Sequence, residues 1–494
     1  MPKSLPLINR IVFPVVIWII GATLFYYCLH HPINHDSAWF MYAARGLLEG
    51  GALYRDYIDV NAPMAYLTLI PAAWLSSFLS NEAAFTINIF AYILVAYTLC
   101  LLIIRHMNLP RRRMEFLQTG LLIVMCFMPH YAFGQREHLL AVLMMPYALA
   151  AGFRAENRAL PPALTIACGI AAGVAVSIKL PYAVVPAALE AAILLRQRSW
   201  KIGITYDVLA LVGSTAIIYL VCFALYPVYW MEILPSAVAL YGPYDNFGFL
   251  TDALLLQVPL FVIGFAAGEY RGRGPLIGMR WMVVAAVLGS FALFILQRKG
   301  WPHHALPILM FVGVLCLLNL ADIKLKIARD RSTSLLRGAV ISVILACAFY
   351  LSFVGGNVDP DMLSGVEAHI RDTDGSFYIL STGNYPAFPL ALDRRYHWTS
   401  RYPQLIMLPG LAEAGIKGIS SPYEPQFRAA VLEDIQRGHP ATVFLYVPTD
   451  AGMPDNYDML AWFRRDPAFD KEWGHYQWIG TTGPFAVFRR MAGR

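Results

Sequence analysis

Long apolar segments constrain this chain more than any other feature of its sequence. A bilayer core is crossed by about 20 apolar residues in a helix. The chain is 58% hydrophobic and only 14% charged, whereas soluble domains average about 45–50% and about 25%. We therefore expect a polytopic α-helical membrane protein with about eleven transmembrane helices. The predicted spans are 11–29, 83–104, 115–133, 138–153, 161–178, 181–195, 205–226, 250–268, 278–296, 303–320 and 338–355.

The same composition excludes several other classes of protein. A soluble enzyme of this length would need more polar residues to cover its surface. A disordered chain would not keep 28 Phe, 27 Tyr and 11 Trp solvated. The net charge of +6 is modest and its basic residues form no large stripe, so no nucleic-acid partner is expected. The 7 cysteines lie in or beside apolar segments and indicate no disulfide framework.

The distribution of Lys and Arg predicts the orientation. Nineteen basic residues flank the spans on one side, whereas the short loops on the other side hold six. By the positive-inside rule the N-terminus is cytoplasmic, and eleven spans leave the C-terminus outside. We expect an integral membrane protein with a cytoplasmic N-terminus. The six outward basic residues are Arg45, Arg55, Arg136, Lys179, Arg298 and Lys299.

The segment 63–80 is apolar and almost long enough to be a further span. If it crossed, every later basic loop would face outward, against the positive-inside rule. Pro71 would also interrupt its hydrogen bonds in mid-helix. We therefore predict an interfacial helix at 63–80 rather than a span.

The composition changes near Gly356, and the remaining 139 residues are more polar. Three β-strands and two helices are predicted there, which suits one small α/β domain. We predict a transmembrane domain over 1–355 and an extracytoplasmic, periplasmic domain over 356–494. The strands are Ser376–Thr382, Thr442–Val447 and Phe485–Arg490, and the helices are Gln426–Arg437 and Tyr457–Arg465.

The first outward loop, 30–62, contains the most unusual chemistry of the chain. Asp36 stands just before a stretch with helical spacing, which begins at Trp39. One interpretation makes Asp36 the N-cap of that helix. The other makes it a carboxylate held at the membrane–water boundary by a rigid helix start. The two interpretations do not exclude each other.

Basic residues and histidines mark three further outward connections, at 134–138, 179 and 297–304. Arg and Lys clusters bind phosphate through charge-assisted hydrogen bonds, and a nearby carboxylate can act as a general base on a hydroxyl. This combination suits sugar transfer from a lipid phosphate. The histidines lack helical i, i+4 pairing and a cysteine partner, so no metal site is predicted, although a divalent metal is left open as a cofactor. They are His35, His138, His303 and His304.

The first loop resembles that of the GT-C membrane glycosyltransferases. The stretch His35-Asp36-Ser37-Ala38-Trp39, then Tyr42-Ala43-Ala44-Arg45, is similar to the branch that includes protein O-mannosyltransferases, lipid A aminoarabinose transferases and rhizobial galacturonosyltransferases. The exit from Tyr54-Arg55-Asp56 to Asp59-Val60-Asn61-Ala62-Pro63 is also similar. Relatives usually have Glu at Ser37, Lys at Asn61 and Pro at Ala62. The resemblance covers roughly 1–355.

The resemblance implies a glycosyltransferase of family 39 type that inverts the anomeric centre. It would transfer a sugar from a polyprenyl-phosphate donor to a lipid, polysaccharide or protein acceptor on the outer face of a bacterial inner membrane. Asp36 carries over as the catalytic carboxylate. The donor phosphate is expected to bind among Arg136, Lys179, Arg298, Lys299, His303 and His304. The substrate- or acceptor-binding residues are expected to be Tyr42, Asp56, Asp59, Asn61, Glu137 and His138.

Other functions remain open from the residues alone. A transporter or flippase of a lipid-linked saccharide would need ionisable residues near the middle of several spans, and Glu190 is the clearest of few. A polysaccharide polymerase or ligase would usually carry its key loop late in the chain. The loop Tyr226–Phe249 contains no basic residue, which disfavours that function. The tail could contact an acceptor, gate a cavity or pack on the membrane domain.

Overall fold

The computed structural model describes residues 32–198, 204–242, 247–268, 270–271, 274–326, 331–354, 359–447 and 452–491, with isolated positions before residue 32. The predicted span 11–29 falls mainly outside these residues. Contacts divide the chain into two compact units. The first unit comprises Met1–Pro32, Glu82–Val221 and Phe247–Asn357, and the second comprises Ile33–Asn81, Cys222–Asn246 and Val358–Arg494.

Each of the other ten predicted spans coincides with a helix. Four helices are long and apolar enough to cross a membrane by length and composition: Asn81–Arg105, Tyr206–Leu225, Pro275–Gln297 and Pro302–Asp322. These features indicate an integral membrane protein, while eleven crossings remain a prediction. The ten helices are Asn81–Arg105, Arg111–Cys126, Arg136–Arg154, Pro162–Ile178, Val184–Gln197, Tyr206–Leu225, Phe247–Ala266, Pro275–Gln297, Leu306–Lys326 and Arg331–Val354.

The first unit packs around the helix Arg136–Arg154, whose residues 137–153 are all buried. A helix that is apolar on every side is stable only when it is surrounded. Gly152 and Gly278 allow the close approach of its neighbour Pro275–Gln297, because a Cβ at Gly278 would lie 2.2 Å from the carbonyl oxygen of Gly152. By contrast, only 6% of the apolar window of Tyr206–Leu225 is buried, as expected of a helix that faces lipid.

The second unit contains a five-stranded sheet of order β2-β1-β3-β5-β4. β1 pairs in parallel with β2 and β3, whereas β5 pairs antiparallel with β3 and β4. The three predicted strands are confirmed as β1, β3 and β5. β2 was missed because it has two residues, and β4 because it lies at an exposed edge and contains Gly480. The strands are β1 Ser376–Leu380, β2 His397–Trp398, β3 Thr442–Tyr446, β4 Tyr476–Thr482 and β5 Phe485–Arg490.

Helices flank this sheet, and two of them, Glu424–Gly438 and Met459–Arg464, confirm the predicted pair. The unit also includes 33–81 and 222–246, which pack with 358–494. The predicted domain boundary at 355/356 stays a prediction. The remaining helices of the unit are His35–Leu48, Pro63–Leu67, Ile70–Leu75, Tyr229–Ile233 (a π-helix), Leu234–Leu240, Pro360–Arg371, Ala387–Asp393, Leu408–Ile416 and Pro467–Trp473.

The apolar segment 63–80 forms two short helices rather than one. The break falls at Thr68 and Leu69, while Pro71 lies in the first turn of the second helix, where its missing N–H costs nothing. The stretch Pro63–Leu75 rises only about 20 Å, less than the roughly 30 Å of a bilayer core. Trp74 and Phe78 are 56% and 72% exposed. The interfacial position of this segment remains a prediction.

Candidate functional site

The helix His35–Leu48 holds Asp36 in its first turn. Asn34 is the N-cap, because its Oδ1 accepts a hydrogen bond from the backbone N–H of Asp36 at 3.0 Å. The interpretation of Asp36 as the N-cap is therefore wrong by two residues. Its position in the first turn still suits a carboxylate, since the helix dipole favours negative charge there.

The Asp36 carboxylate has contacts with the side chains of Asn384 and His35. The amide Nδ2 of Asn384 donates a hydrogen bond to Oδ1 at 3.0 Å, and Nε2 of His35 lies 3.8 Å from the same oxygen. The Asp36 side chain is 19% exposed, so it is held in place but still accessible. A general base needs both a fixed orientation and access to a hydroxyl.

Loops that follow two parallel strands contact the first loop. Asn384 follows β1, and Arg401 follows β2. The carbonyl oxygen of Arg401 accepts a hydrogen bond from the backbone N–H of Ile58 at 2.7 Å. The Asp36 end and the Ile58 end of the loop thus both meet the carboxyl edge of the parallel strands, which is where open α/β sheets usually bind ligands.

Aromatic rings pack together on the helix that carries Asp36. Trp39 and Tyr42 pack against Phe388, with ring centroids 5.0 and 5.4 Å apart, and they stack on each other at 6.0 Å. Burial raises the pKa of Tyr42 to about 12. The Tyr42 hydroxyl therefore stays protonated at neutral pH. It can donate a hydrogen bond, and it cannot serve as a base.

Asp59 is a buried anchor at the exit of the loop. Its Oδ2 accepts hydrogen bonds from Trp39 Nε1 at 3.2 Å, Asn61 Nδ2 at 2.6 Å and Tyr66 OH at 3.1 Å. Its Oδ1 accepts from the N–H of Val60 at 2.6 Å. Asp59 is only 4% exposed. This geometry favours a structural role, and acceptor binding by Asp59 and Asn61 stays a prediction.

Asp56 is more exposed than Asp59. Its Oδ2 accepts from the backbone N–H of Ala52 at 2.8 Å and lies 3.6 Å from Nη2 of Arg55. The contacts hold a local turn. The structure places Asp36, Tyr42, Asp56, Asp59 and Asn61 in the second unit, as parts of one packed loop. Their predicted substrate contacts remain predictions.

In the first unit, three connections predicted to face outward meet at a buried ion cluster. Lys179 Nζ donates to Glu137 Oε1 at 2.7 Å and lies 3.3 Å from His304 Nε2. His304 Nε2 is 3.5 Å from the same carboxylate oxygen. Lys179 stands at the sharp turn between the helix Pro162–Ile178 and the 3₁₀ turn Leu180–Ala183, as the sequence indicated. We call Glu137, Lys179 and His304 the buried cluster.

The buried cluster and His303 contain the ligand types that a zinc ion prefers. Ligand atoms of Glu137, His303 and His304 all lie within 4.8 Å of one another. The Lys179 ammonium, however, contacts both Glu137 Oε1 and His304 Nε2, so a positive charge already stands between them. Within the described residues, Glu137 Oε2 and His304 Nδ1 are buried without a hydrogen-bond partner.

The remaining residues predicted to bind substrate or phosphate differ in exposure. His138 is fully buried: its Nδ1 accepts from the N–H of Gly134 at 2.9 Å, and its Nε2 lies 2.7 Å from the carbonyl oxygen of Met125. This pairing favours a structural histidine. Arg136 is partly buried at the start of its helix, Arg298 is exposed and Lys299 is buried. Their phosphate contacts, and those of His303 and His304, remain predictions.

Glu190, the residue that most suggested a transporter, is paired. Both of its carboxylate oxygens accept hydrogen bonds from Arg154, at 2.6 and 2.8 Å, and Tyr147 OH donates to one of them at 2.6 Å. Arg154 also forms an ion pair with the buried Asp207. A paired, partly buried charge of this kind is explained as a clamp between helices and does not require an ion path.

Sequence reasoning missed the partners that hold the first loop. Asn34, Asn384 and Arg401 carry no motif that marks them. The turn residues Gly383-Asn384-Tyr385-Pro386 after a predicted strand were a weak signal for a loop at a sheet edge. The parallel pairing of β1 with β2 and β3, which places this loop beside the loop after β2, cannot be read from the sequence.

Comparison with known proteins rests on structure, since no sequence-family model and no curated protein sequence matches the chain. ArnT from Cupriavidus metallidurans, in a crystal structure bound to undecaprenyl phosphate, has a TM-score of 0.56 at 13% identity over 97% of this chain and 98% of its own. The Archaeoglobus fulgidus oligosaccharyltransferase, in complex with Zn and sulfate, has a TM-score of 0.48 at 14% identity over 95% of this chain and 72% of its own. The second score is too low to carry an inference. The likeness to ArnT along nearly the whole chain shows that the two proteins share a fold, which agrees with the fold expected from the first-loop resemblance.

Proposed function

We propose that the protein is an inverting glycosyltransferase that uses a polyprenyl-phosphate sugar as donor. The observation that carries this proposal is the likeness to ArnT, whose crystal structure was determined with undecaprenyl phosphate bound. The accessible Asp36 carboxylate on a rigid helix start supports it. The acceptor is a lipid, polysaccharide or protein of the cell envelope, and the reaction occurs on the outer face of a bacterial inner membrane.

The proposed chemistry is a single displacement. Asp36 removes the proton from an acceptor hydroxyl, whose oxygen attacks the anomeric carbon of the donor sugar. The bond from that carbon to the phosphate oxygen breaks, and the lipid phosphate leaves with the electron pair. Inversion follows from attack on the face opposite the leaving group. Phosphate is a good leaving group, so no separate general acid is needed.

The first unit supplies the proposed phosphate-binding residues. Lys179 is held between Glu137 and His304, and a partly buried ammonium fixed in this way can also donate to a phosphate oxygen. Arg136, Arg298, Lys299 and His303 would add further donors. This assignment is separate from that of Asp36 and is tested separately, by native mass spectrometry of the purified protein with undecaprenyl phosphate.

The alternative of a transporter or flippase is not favoured. The most prominent ionisable residue within its predicted spans, Glu190, is bound by Arg154 and Tyr147. The proposal also keeps the orientation with a cytoplasmic N-terminus and a periplasmic 356–494 domain, which follows from the distribution of basic loops.

The test is a comparison of envelope glycolipids and polysaccharides by mass spectrometry, with the gene present and deleted. We expect deletion to remove one sugar group, and the wild-type gene to restore it. Asp36→Asn should lower transfer by at least about 100-fold with normal membrane yield. Glu49→Gln, an exposed carboxylate at the other end of the same helix, is the matched control. Restoration by Asp36→Asn would overturn the role of Asp36.

A further inference from the structure

Asn384 donates a hydrogen bond to Asp36, although the two residues lie 348 positions apart in the sequence. It is 4% exposed, although it carries a polar amide. Burial of an amide is costly unless its hydrogen bonds are made. One of its bonds is the 3.0 Å donation from Nδ2 to Asp36 Oδ1. The fold therefore commits a buried donor to one oxygen of the proposed base.

The loop that presents Asn384 is internally braced. The carbonyl oxygen of Asn384 accepts from the N–H of Phe388 at 3.2 Å, and Ser381 Oγ accepts from the N–H of Gly383 at 2.9 Å. Phe388 in turn packs on Trp39, one helical turn after Asp36. The backbone of the loop and the helix of Asp36 thus form one packed assembly within the second unit.

We propose that Asn384, in the loop after β1, is a positioning residue for the transfer reaction. This inference rests on the proposed function, because it assigns Asn384 a role through Asp36. The amide donor limits rotation of the carboxylate and favours its ionised form, since a hydrogen bond to a charged group stabilises that group. When Asp36 takes the acceptor proton, Asn384 neither gains nor loses one.

The tail would then have a definite role in positioning the catalytic base. A carboxylate that turns by a small angle presents its oxygen out of line with the hydroxyl, and misplacement of about 1 Å can cost about 100-fold in rate. The sheet of the tail would then act as the rigid support of the catalytic base. A tail that merely packed against the membrane domain would not need a donor at this oxygen.

The experiment compares substitutions at Asn384 in the full-length protein in isolated membranes. The donor is the polyprenyl-phosphate sugar that matches the group lost on gene deletion. We expect Asn384→Ala to lower kcat by about 10- to 100-fold with KM for the donor within about twofold. Asn384→Asp is nearly isosteric, but when ionised it cannot donate and it repels Asp36, so it should lose more than the alanine variant.

Two further variants make the comparison decisive. Tyr385→Phe is the matched control, because the Tyr385 hydroxyl donates to the carbonyl oxygen of Asp359 rather than to Asp36. It should behave as wild type. Asn384→Ser keeps a hydrogen-bond donor on a shorter side chain, so its kcat should exceed that of Asn384→Asp. This comparison keeps the test possible if the alanine variant does not accumulate. If Asn384 had a purely structural role, the nearly isosteric variant Asn384→Asp should instead keep a higher kcat than Asn384→Ala.

The outcomes separate this inference from the proposed function. Positioning is supported if Asp36→Asn is inactive and the kcat order is wild type, then Ala, then Asp. Positioning is overturned, with the proposed function intact, if Asp36→Asn is inactive while Asn384→Ala and Asn384→Asp transfer at wild-type rates. It is also overturned if the kcat of Asn384→Asp equals or exceeds that of Asn384→Ala. Transfer by Asp36→Asn would overturn the catalytic assignment and, with it, the role of Asn384.

Discussion

The indole N–H of Trp39 donates to Oδ2 of Asp59 across 3.2 Å, which ties the exit of the first loop to the helix that carries Asp36. Both residues are buried, Trp39 at 1% and Asp59 at 4% exposure. The sequence suggested Asp59 as a substrate ligand. Its burial and its hydrogen bond to Trp39 favour a structural role beside the proposed base, Asp36.

Asp59→Ala is expected to destabilise the protein by about 2–4 kcal/mol, because it removes an acceptor from the buried donors of Trp39 and Tyr66. Thermal unfolding of the purified protein in detergent measures this. Asp56→Ala, at a more exposed turn, should cost less than about 1 kcal/mol. If Asp59→Ala instead unfolded as wild type but lost transfer, Asp59 would belong to the substrate site.

Arg45 and Asn81 should be energetically coupled. Arg45 Nη2 donates to Asn81 Oδ1 at 2.6 Å, and Asn81 Nδ2 donates to the carbonyl oxygen of Leu392 and to Asp393 Oδ1. This series of hydrogen bonds joins the helix His35–Leu48 to the tail. A double-mutant cycle of Arg45→Ala and Asn81→Ala should give a coupling of about 1 kcal/mol or more in unfolding free energy. Additive effects would contradict the link.

Lys179→Ala should destabilise the first unit by about 3–5 kcal/mol, because it leaves the buried Glu137 carboxylate without its cation. Zn²⁺ should then recover part of the loss in a thermal unfolding assay, since Glu137, His303 and His304 offer ligand atoms within 4.8 Å. The double variant Lys179→Ala/His304→Ala should show no recovery. An equal zinc response in the wild type would show that Lys179 does not block the ion.

The pH dependence of stability should report Tyr42. Burial raises its pKa from 10.0 to about 12. The fold therefore holds a proton that the unfolded chain releases near pH 10. The contribution of Tyr42 is fully present below pH 10 and is lost as pH rises through 12, by up to about 3 kcal/mol.

Unfolding of wild type and Tyr42→Phe across this alkaline range measures the effect. The phenylalanine variant should lose less stability between pH 10 and 12. Identical slopes for the two proteins would contradict the burial of the Tyr42 hydroxyl. Around neutral pH the transfer rates of Tyr42→Phe and of the wild type should depend on pH in the same way, because the Tyr42 hydroxyl does not ionise in that range.

Local patterns predicted much of the architecture. Ten predicted spans coincide with helices, because a run of apolar residues identifies a buried or lipid-facing helix without reference to the rest of the chain. The strands β1, β3 and β5 were predicted for the same reason, since their residues are strongly apolar over a short length. The helix break at Thr68 was not predicted, because the apolar pattern continues across it.

The residues of the candidate site were proposed from the sequence, and their roles stay predictions. The first-loop pattern pointed to Asp36, and the alternation of loops across a membrane predicted that the basic loops at 134–138, 179 and 297–304 face the same side. The meeting of Glu137, Lys179 and His304 agrees with that alternation. The sequence could not predict which of these residues pair with each other. A hydrogen bond requires the donor and acceptor atoms to lie at the right distance and angle, and only the folded structure fixes these positions.

The sequence by itself indicated a helical membrane protein, and it predicted an orientation in the membrane and Asp36 as the first residue to change. These conclusions depend on hydropathy and charge, which act locally along the chain. Only the tertiary structure decided that Asn34 caps the helix of Asp36 and that Asn384 holds its carboxylate. The second contact joins residues 348 positions apart. It exists because parallel pairing of β1 brings its following loop to the first loop, and sheet topology is a property of the whole fold.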